Sequence, residues 1–82
     1  MIRVIVERSF DTPQTEADMA AVANRERDCL GIYRVTWRRS LLSEDRRHML
    51  CEYDAPDAES VRRVQRQAEA QFDRVWTAEV IE

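Results

Sequence analysis

The chain has 82 residues and a formal net charge of −3, with 13 basic side chains against 16 acidic ones. A length of this order suits one domain, spanning 1–82, and folding hides only about 60–65% of the surface the unfolded chain exposes. The mixed, slightly acidic balance speaks against nucleic acid as a partner, and no apolar run approaches the ~20 residues that cross a bilayer.

A thin burial margin makes pairing with a second copy the simplest source of further stability, so a homodimer is expected. The N-terminal Met1-Ile2-Arg3-Val4-Ile5-Val6-Glu7 carries a charge inside its apolar run and no small-residue cleavage site, which points to the cytoplasm. All the basic side chains are arginine; codon bias accounts for that, although arginine is also the residue that grips carboxylates and phosphates with two parallel bonds. Cys29 and Cys51 are too far apart in sequence for a metal knuckle and read as buried thiols.

From Ile2 to Phe10 apolar and polar residues alternate at the period of a strand. Thr12-Pro13 reads as a helix start, with a hydroxyl cap and a pre-set φ. Asp11, Glu16 and Asp18 suit the positive end of the dipole. Met19, Val22, Ala23 and Leu30 make the helix's apolar stripe. Gly31, the only glycine, falls where a left-handed C-terminal residue is wanted. Ile32 to Leu42 alternates again, and the polar Ser43-Glu44-Asp45-Arg46-Arg47 suits a hairpin connection to a third strand through Tyr53. Beyond Pro56, Asp57 caps a second helix with the stripe Ala58, Val61, Val64 and Ala68. Arg74 to Ile81 reads as the last strand.

The order strand–helix–strand–strand–helix–strand folds through two right-handed crossovers into one four-stranded antiparallel sheet. Its first and third strands are central, and both helices lie on one face. This is the ferredoxin-like α+β arrangement, with a dimeric α/β-barrel type of assembly as its expected form.

Side-chain parity then divides the sheet. Ile2, Val4, Val6, Tyr33, Val35, Trp37, Met49, Cys51, Tyr53, Trp76, Ala78 and Val80 form the set expected under the helices. There the Cys51 thiol meets apolar surroundings that silence it as a nucleophile. The opposite set is Arg3, Ile5, Glu7, Arg34, Thr36, Arg38, His48, Leu50, Glu52, Thr77, Glu79 and Ile81. In this register Glu7 lies near His48, and Arg38 lies towards Leu50 or Glu52. Glu7, Arg38, His48 and Glu52 are therefore the candidate ligand-binding residues. Three readings fit them. The leading one is a ladder of cross-strand ion pairs on a face that meets solvent or a second subunit. Another is a small-molecule or anion pocket with arginine anchors. The third is a divalent transition-metal site of Glu7, His48 and Glu52.

With these elements placed, several residues carry a family resemblance. They are Val6-Glu7-Arg8-Ser9-Phe10, Trp37 with Ser40, Asp45, Cys51 with Tyr53-Asp54-Ala55-Pro56-Asp57, and Arg74-Val75. Together they resemble a family of small bacterial ferredoxin-like domains of unknown function that includes a nickel-binding protein. The resemblance covers nearly the whole chain. It implies a dimer and, in some members, bound nickel or another divalent metal. Two positions depart from it: Arg39 and Val64 stand where family members often carry histidine. A cation beside Arg39 is repelled, so no cofactor is expected and the metal site reads as vestigial or altered.

No Ser–His–Asp or Cys–His arrangement and no glycine-rich phosphate loop is visible. The leading functional expectation is thus a cytoplasmic, non-catalytic, dimeric binding or accessory protein. The alternative is a cofactor-independent enzyme, similar in architecture to small dimeric monooxygenases, isomerases and cyclases. In that case Tyr33, Trp37, Tyr53 and Trp76 line a cavity for an organic substrate between sheet and helices.

Overall fold

Six elements follow one another in the anticipated order: β1 (Ile2–Ser9), α1 (Glu16–Leu30), β2 (Thr36–Leu42), β3 (His48–Ala55), α2 (Ala58–Gln67) and β4 (Arg74–Ala78). They are seen in a computed structural model that describes residues 1–82. The sheet order is β2-β3-β1-β4, and every neighbouring pair is antiparallel. The fold is the ferredoxin-like α+β arrangement. No helix is long and apolar enough to cross a membrane.

The core lies between the sheet and the helices. Val4 and Val6 of β1 and Cys51, Tyr53 and Ala55 of β3 pack with Val61, Val64 and Ala68 of the second helix segment. Burying one such valine is worth about 1.5–3 kcal/mol before entropy is subtracted. α2 supplies most of the helical share, with its stripe as anticipated. α1 supplies less: Cys29 and Glu26 are its only buried residues, Met19 and Val22 are half-buried, and Ala23 is exposed. The inward positions 19, 22, 26 and 29 thus keep helical spacing, with a carboxylate where the apolar reading placed Ala23.

The helix boundaries differ from expectation for identifiable reasons. α1 is capped by Thr15 rather than Thr12. Thr15 Oγ1 accepts from the Asp18 amide while Asp18 accepts from the Thr15 amide, the reciprocal capping box. Phe10 and Gln14 instead donate their amides to the carbonyls of Arg47 and Arg46, which ties the Pro13 stretch to the β2–β3 hairpin. Gly31 has φ −65° and stays right-handed. The left-handed residue is Arg34, at φ 61°; the Arg34 and Val35 amides close back onto the Gly31 and Leu30 carbonyls, a Schellman motif. β2 therefore starts at Thr36 and not at Ile32. Glu69, at φ 54°, ends the second helix in the same way, with amide closures from Glu69 to Arg66 and from Ala70 to Gln65.

Two register features redistribute side chains. β2 carries a bulge between Trp37 and Arg39, which adds one residue and reverses parity beyond it. Trp37 stays opposite Tyr53, but Arg39 now opposes Glu52 and Leu41 opposes Leu50. Residues 36–41 are all exposed, so Trp37 does not join the core. In β4, Val75 lies opposite Val6 and packs on the core, whereas Trp76 lies opposite Ile5. Trp76 and Ala78 therefore belong to the face away from the helices, the reverse of expectation. β4 also ends at Ala78, whose partner is Arg3, because β1 begins one residue earlier.

Candidate functional site

The sheet face away from the helices holds the sequence-predicted site residues. Its backbone sets the rows. Leu41, Leu50, Glu7 and Arg74 form one row across the four strands, and Arg39, Glu52, Ile5 and Trp76 form the next. Asp54 and Arg3 are paired in the row beyond.

Along these rows runs a ladder of alternating charge. Arg39 Nε donates to Glu52 Oε2 at 2.8 Å, and Arg3 Nη1 donates to Glu52 Oε1 at 2.6 Å. Arg3 Nε then donates to Asp54 Oδ1 at 3.0 Å, and Arg38 Nε lies 3.5 Å from Asp54 Oδ2. Three guanidiniums thus hold two carboxylates. Both oxygens of Glu52 are occupied. The hydrogen bond from Arg39 is the largest cause, with Arg3 adding to it, that holds the Glu52 carboxyl below its ordinary range against the opposing effect of burial. Charge-assisted pairing is what lets a carboxylate sit on a largely covered site.

Glu7 makes a separate centre: its Oε2 accepts from Arg74 Nη2 and from Trp76 Nε1, each at 2.6 Å. Directly opposite Glu7 stands Leu50, while His48 lies opposite Ser9. The predicted Glu7–His48 neighbours are therefore offset by two residues and share no ion pair. They do line one shallow depression of about 320 Å³, together with Leu41 and Leu50. Arg38 reaches Asp54 rather than Leu50 or Glu52, because the bulge gives that place to Arg39. Glu7, His48 and Glu52 do not form a common metal-binding group, and no three His, Cys, Asp or Glu side chains converge in one chain. Nor do the four aromatics share a cavity. Tyr53 is closed in the core, Trp37 is exposed at the sheet edge, and Trp76 faces the other way.

A second polar cluster, unanticipated, sits under the helices. Glu26 Oε1 accepts from the Tyr53 hydroxyl at 2.7 Å and from Gln65 Nε2 at 2.8 Å. Arg8 Nη2 donates to the Tyr53 hydroxyl at 3.2 Å and Arg8 Nη1 to the Gln71 carbonyl at 2.8 Å. Arg8, Glu26, Tyr53 and Gln65 are all buried. Burial first, and then the Glu26 charge, push the Tyr53 phenol well above its ordinary value, so it stays a neutral donor. One sequence signal pointed here: Glu26 falls in phase with the buried stripe of α1.

The residues that carry the family resemblance also touch one another. Trp37 Nε1 donates to Ser40 Oγ at 3.0 Å, and Ser40 Oγ donates to the Cys51 sulfur at 3.1 Å. Asp57 caps α2 by accepting from the Ser60 amide at 2.7 Å.

Comparison with known proteins agrees with this architecture. The crystal structure of SCO4226 from Streptomyces coelicolor A3(2) matches with a TM-score of 0.86, covering 98% of this chain and 99% of that one at 14% identity. That likeness is one of fold. No curated protein matches the sequence. A family model described as nickel responsive protein SCO4226-like matches residues 5–77. The donors within one chain do not fit a resident nickel ion, since Glu52 and Glu7 are engaged by arginine and no third ligand joins them. The match across residues 5–77 places the chain in the SCO4226-like family of nickel-responsive proteins.

Proposed function

We propose that this chain is a non-catalytic binding or accessory protein of the cytoplasm that works as a homodimer through the open face of its sheet. One observation carries the reading. The open face leaves Leu41 50%, Leu50 37% and Trp76 43% exposed, beside charges that are already paired within the chain. Apolar side chains flanked by satisfied ion pairs suit burial against a partner, because contact removes apolar surface without stranding a charge. A two-fold interface would set the same face of each copy against the other.

In this reading Glu7 and His48 hold the ligand-facing part of the surface, in their shared depression. Arg38 and Glu52 serve the ladder that frames it, and the divalent-metal site is an altered one. The two free, buried thiols, Cys29 and Cys51, are in keeping with a reducing compartment. Sedimentation equilibrium at micromolar concentration tests the assembly. A mass of two chains is expected, and a mass of one chain rejects the reading.

A further inference from the structure

We infer that Arg8, Tyr53 and Gln65 form a carboxylate-binding site under the helices, and that α1 closes this site with its own Glu26 as a tethered ligand. The site lies apart from the open face and does not depend on the proposed function. Its donors come from β1, β3 and α2, and none from α1. They converge on one oxygen. Glu26 Oε1 accepts from the Tyr53 hydroxyl at 2.7 Å and from Gln65 Nε2 at 2.8 Å, and Arg8 Nη2 lies 3.7 Å away. Arg8 is fixed independently of Glu26, by the Gln71 carbonyl at 2.8 Å and the Tyr53 hydroxyl at 3.2 Å. Two neutral donors beside a guanidinium suit a carboxylate, and a buried guanidinium needs an anion next to it.

Two observations set this arrangement apart from an ordinary core pair. The first is Gln65, whose side chain is fully buried and whose Oε1 has no partner in the protein. The amide cannot turn over to relieve this, because Oε1 would then face the Glu26 oxygen. A carboxylate only accepts, so Glu26 leaves one buried acceptor of the site unmatched. A small carboxylate that carries a hydroxyl beside the acid group can match both, and that is the ligand class the site fits. The second is the light hold on α1. Glu26 and Cys29 are its only buried residues, whereas α2 buries Val61, Val64 and Gln65. With every donor outside it, α1 is the lid of the site and not its wall.

The test uses the full-length Glu26→Ala chain, which lacks the tethered ligand and has room for the acetate-sized group it carried. Urea unfolding is compared in sodium chloride, acetate, glycolate and the bulkier pivalate at equal ionic strength. Acetate is expected to lower the unfolding equilibrium constant of the variant about tenfold more than that of the wild type, with pivalate acting as chloride does. Glycolate, with its added hydroxyl, is expected to lower it about threefold further. A folded variant that responds to acetate no more than the wild type does overturns the site, and so does a variant that stays unfolded at every acetate concentration. Equal effects of acetate and glycolate overturn the ligand class. The lid is read separately by amide hydrogen exchange in Glu26→Gln, which keeps the shape of the side chain. Amides of α1 should exchange about tenfold faster relative to those of α2 than in the wild type. Equal acceleration of both helices overturns the lid.

Discussion

The two faces of this sheet are built from alternate residues of the same strands, yet they handle polarity in opposite ways. Under the helices, Arg8, Glu26, Tyr53 and Gln65 are buried and bonded to one another. On the open face, Arg3, Arg38, Arg39 and Asp54 retain contact with water around a Glu52 that is as covered as Glu26, and they adjoin exposed Leu41, Leu50 and Trp76. A charge in the core must be matched or the fold loses several kcal/mol. A charge at the surface has water as an alternative, and its pair contributes little. The covered face therefore carries most of the stability, and the exposed pairs of the open face carry little of it.

Breaking one carboxylate on each face sharpens the contrast. Glu26→Ala leaves the buried Arg8 guanidinium without its countercharge and is expected to lower unfolding stability by about 3–5 kcal/mol. Tyr53→Phe removes one donor to Glu26 and one acceptor for Arg8 and should lose about 1–3 kcal/mol. Asp54→Asn on the open face, where the carboxylate side chain is 30% exposed, should lose no more than about 1 kcal/mol. Urea denaturation of the three variants gives the ranking directly, and an Asp54→Asn loss as large as that of Glu26→Ala would erase the distinction.

Acid unfolding probes the ladder at smaller amplitude. Pairing with Arg39 and Arg3 holds the Glu52 carboxyl below its ordinary value of 4.5. The Ser60 amide holds that of Asp57 below 3.8. A depressed value in the folded chain means the stabilisation is present above the ordinary value and is lost as pH falls through the folded one. Wild-type stability should therefore fall as the pH drops below about 4.5. Glu52→Gln should show a shallower acid slope, measured by urea midpoints against pH. An unchanged slope would mean that Glu52 gains nothing from its arginines.

Much of this fold was legible because its signals are local. The period-2 runs of β1 and β3, Asp57 after Pro56 and the stripe Val61, Val64 and Ala68 each point to one element, and together they fix the topology. The site was harder. Residues 74–81 carry apolar side chains at both parities, so alternation alone does not choose between them; the pairing of Val6 with Val75 settles it. The β2 bulge is marked by no glycine or proline, so the exchange of Arg38 for Arg39 opposite Glu52 could not be read from alternation. Glu26 departs from the apolar signature of a buried helical position, although its helical phase places it inside. The capping box of Thr15 and Asp18 was readable, but Pro13 gave the stronger apparent start signal.

The division of labour between the faces is tested most directly by sedimentation equilibrium of Leu50→Arg. Leu50 lies on the central strand β3, opposite both Glu7 and Leu41 on the open face, and outside the covered core. The variant is predicted to sediment as a single chain while keeping the wild-type circular dichroism spectrum, with the wild type at twice that mass. A Leu50→Arg protein that still sediments at two-chain mass would contradict the assignment of the open face to self-association.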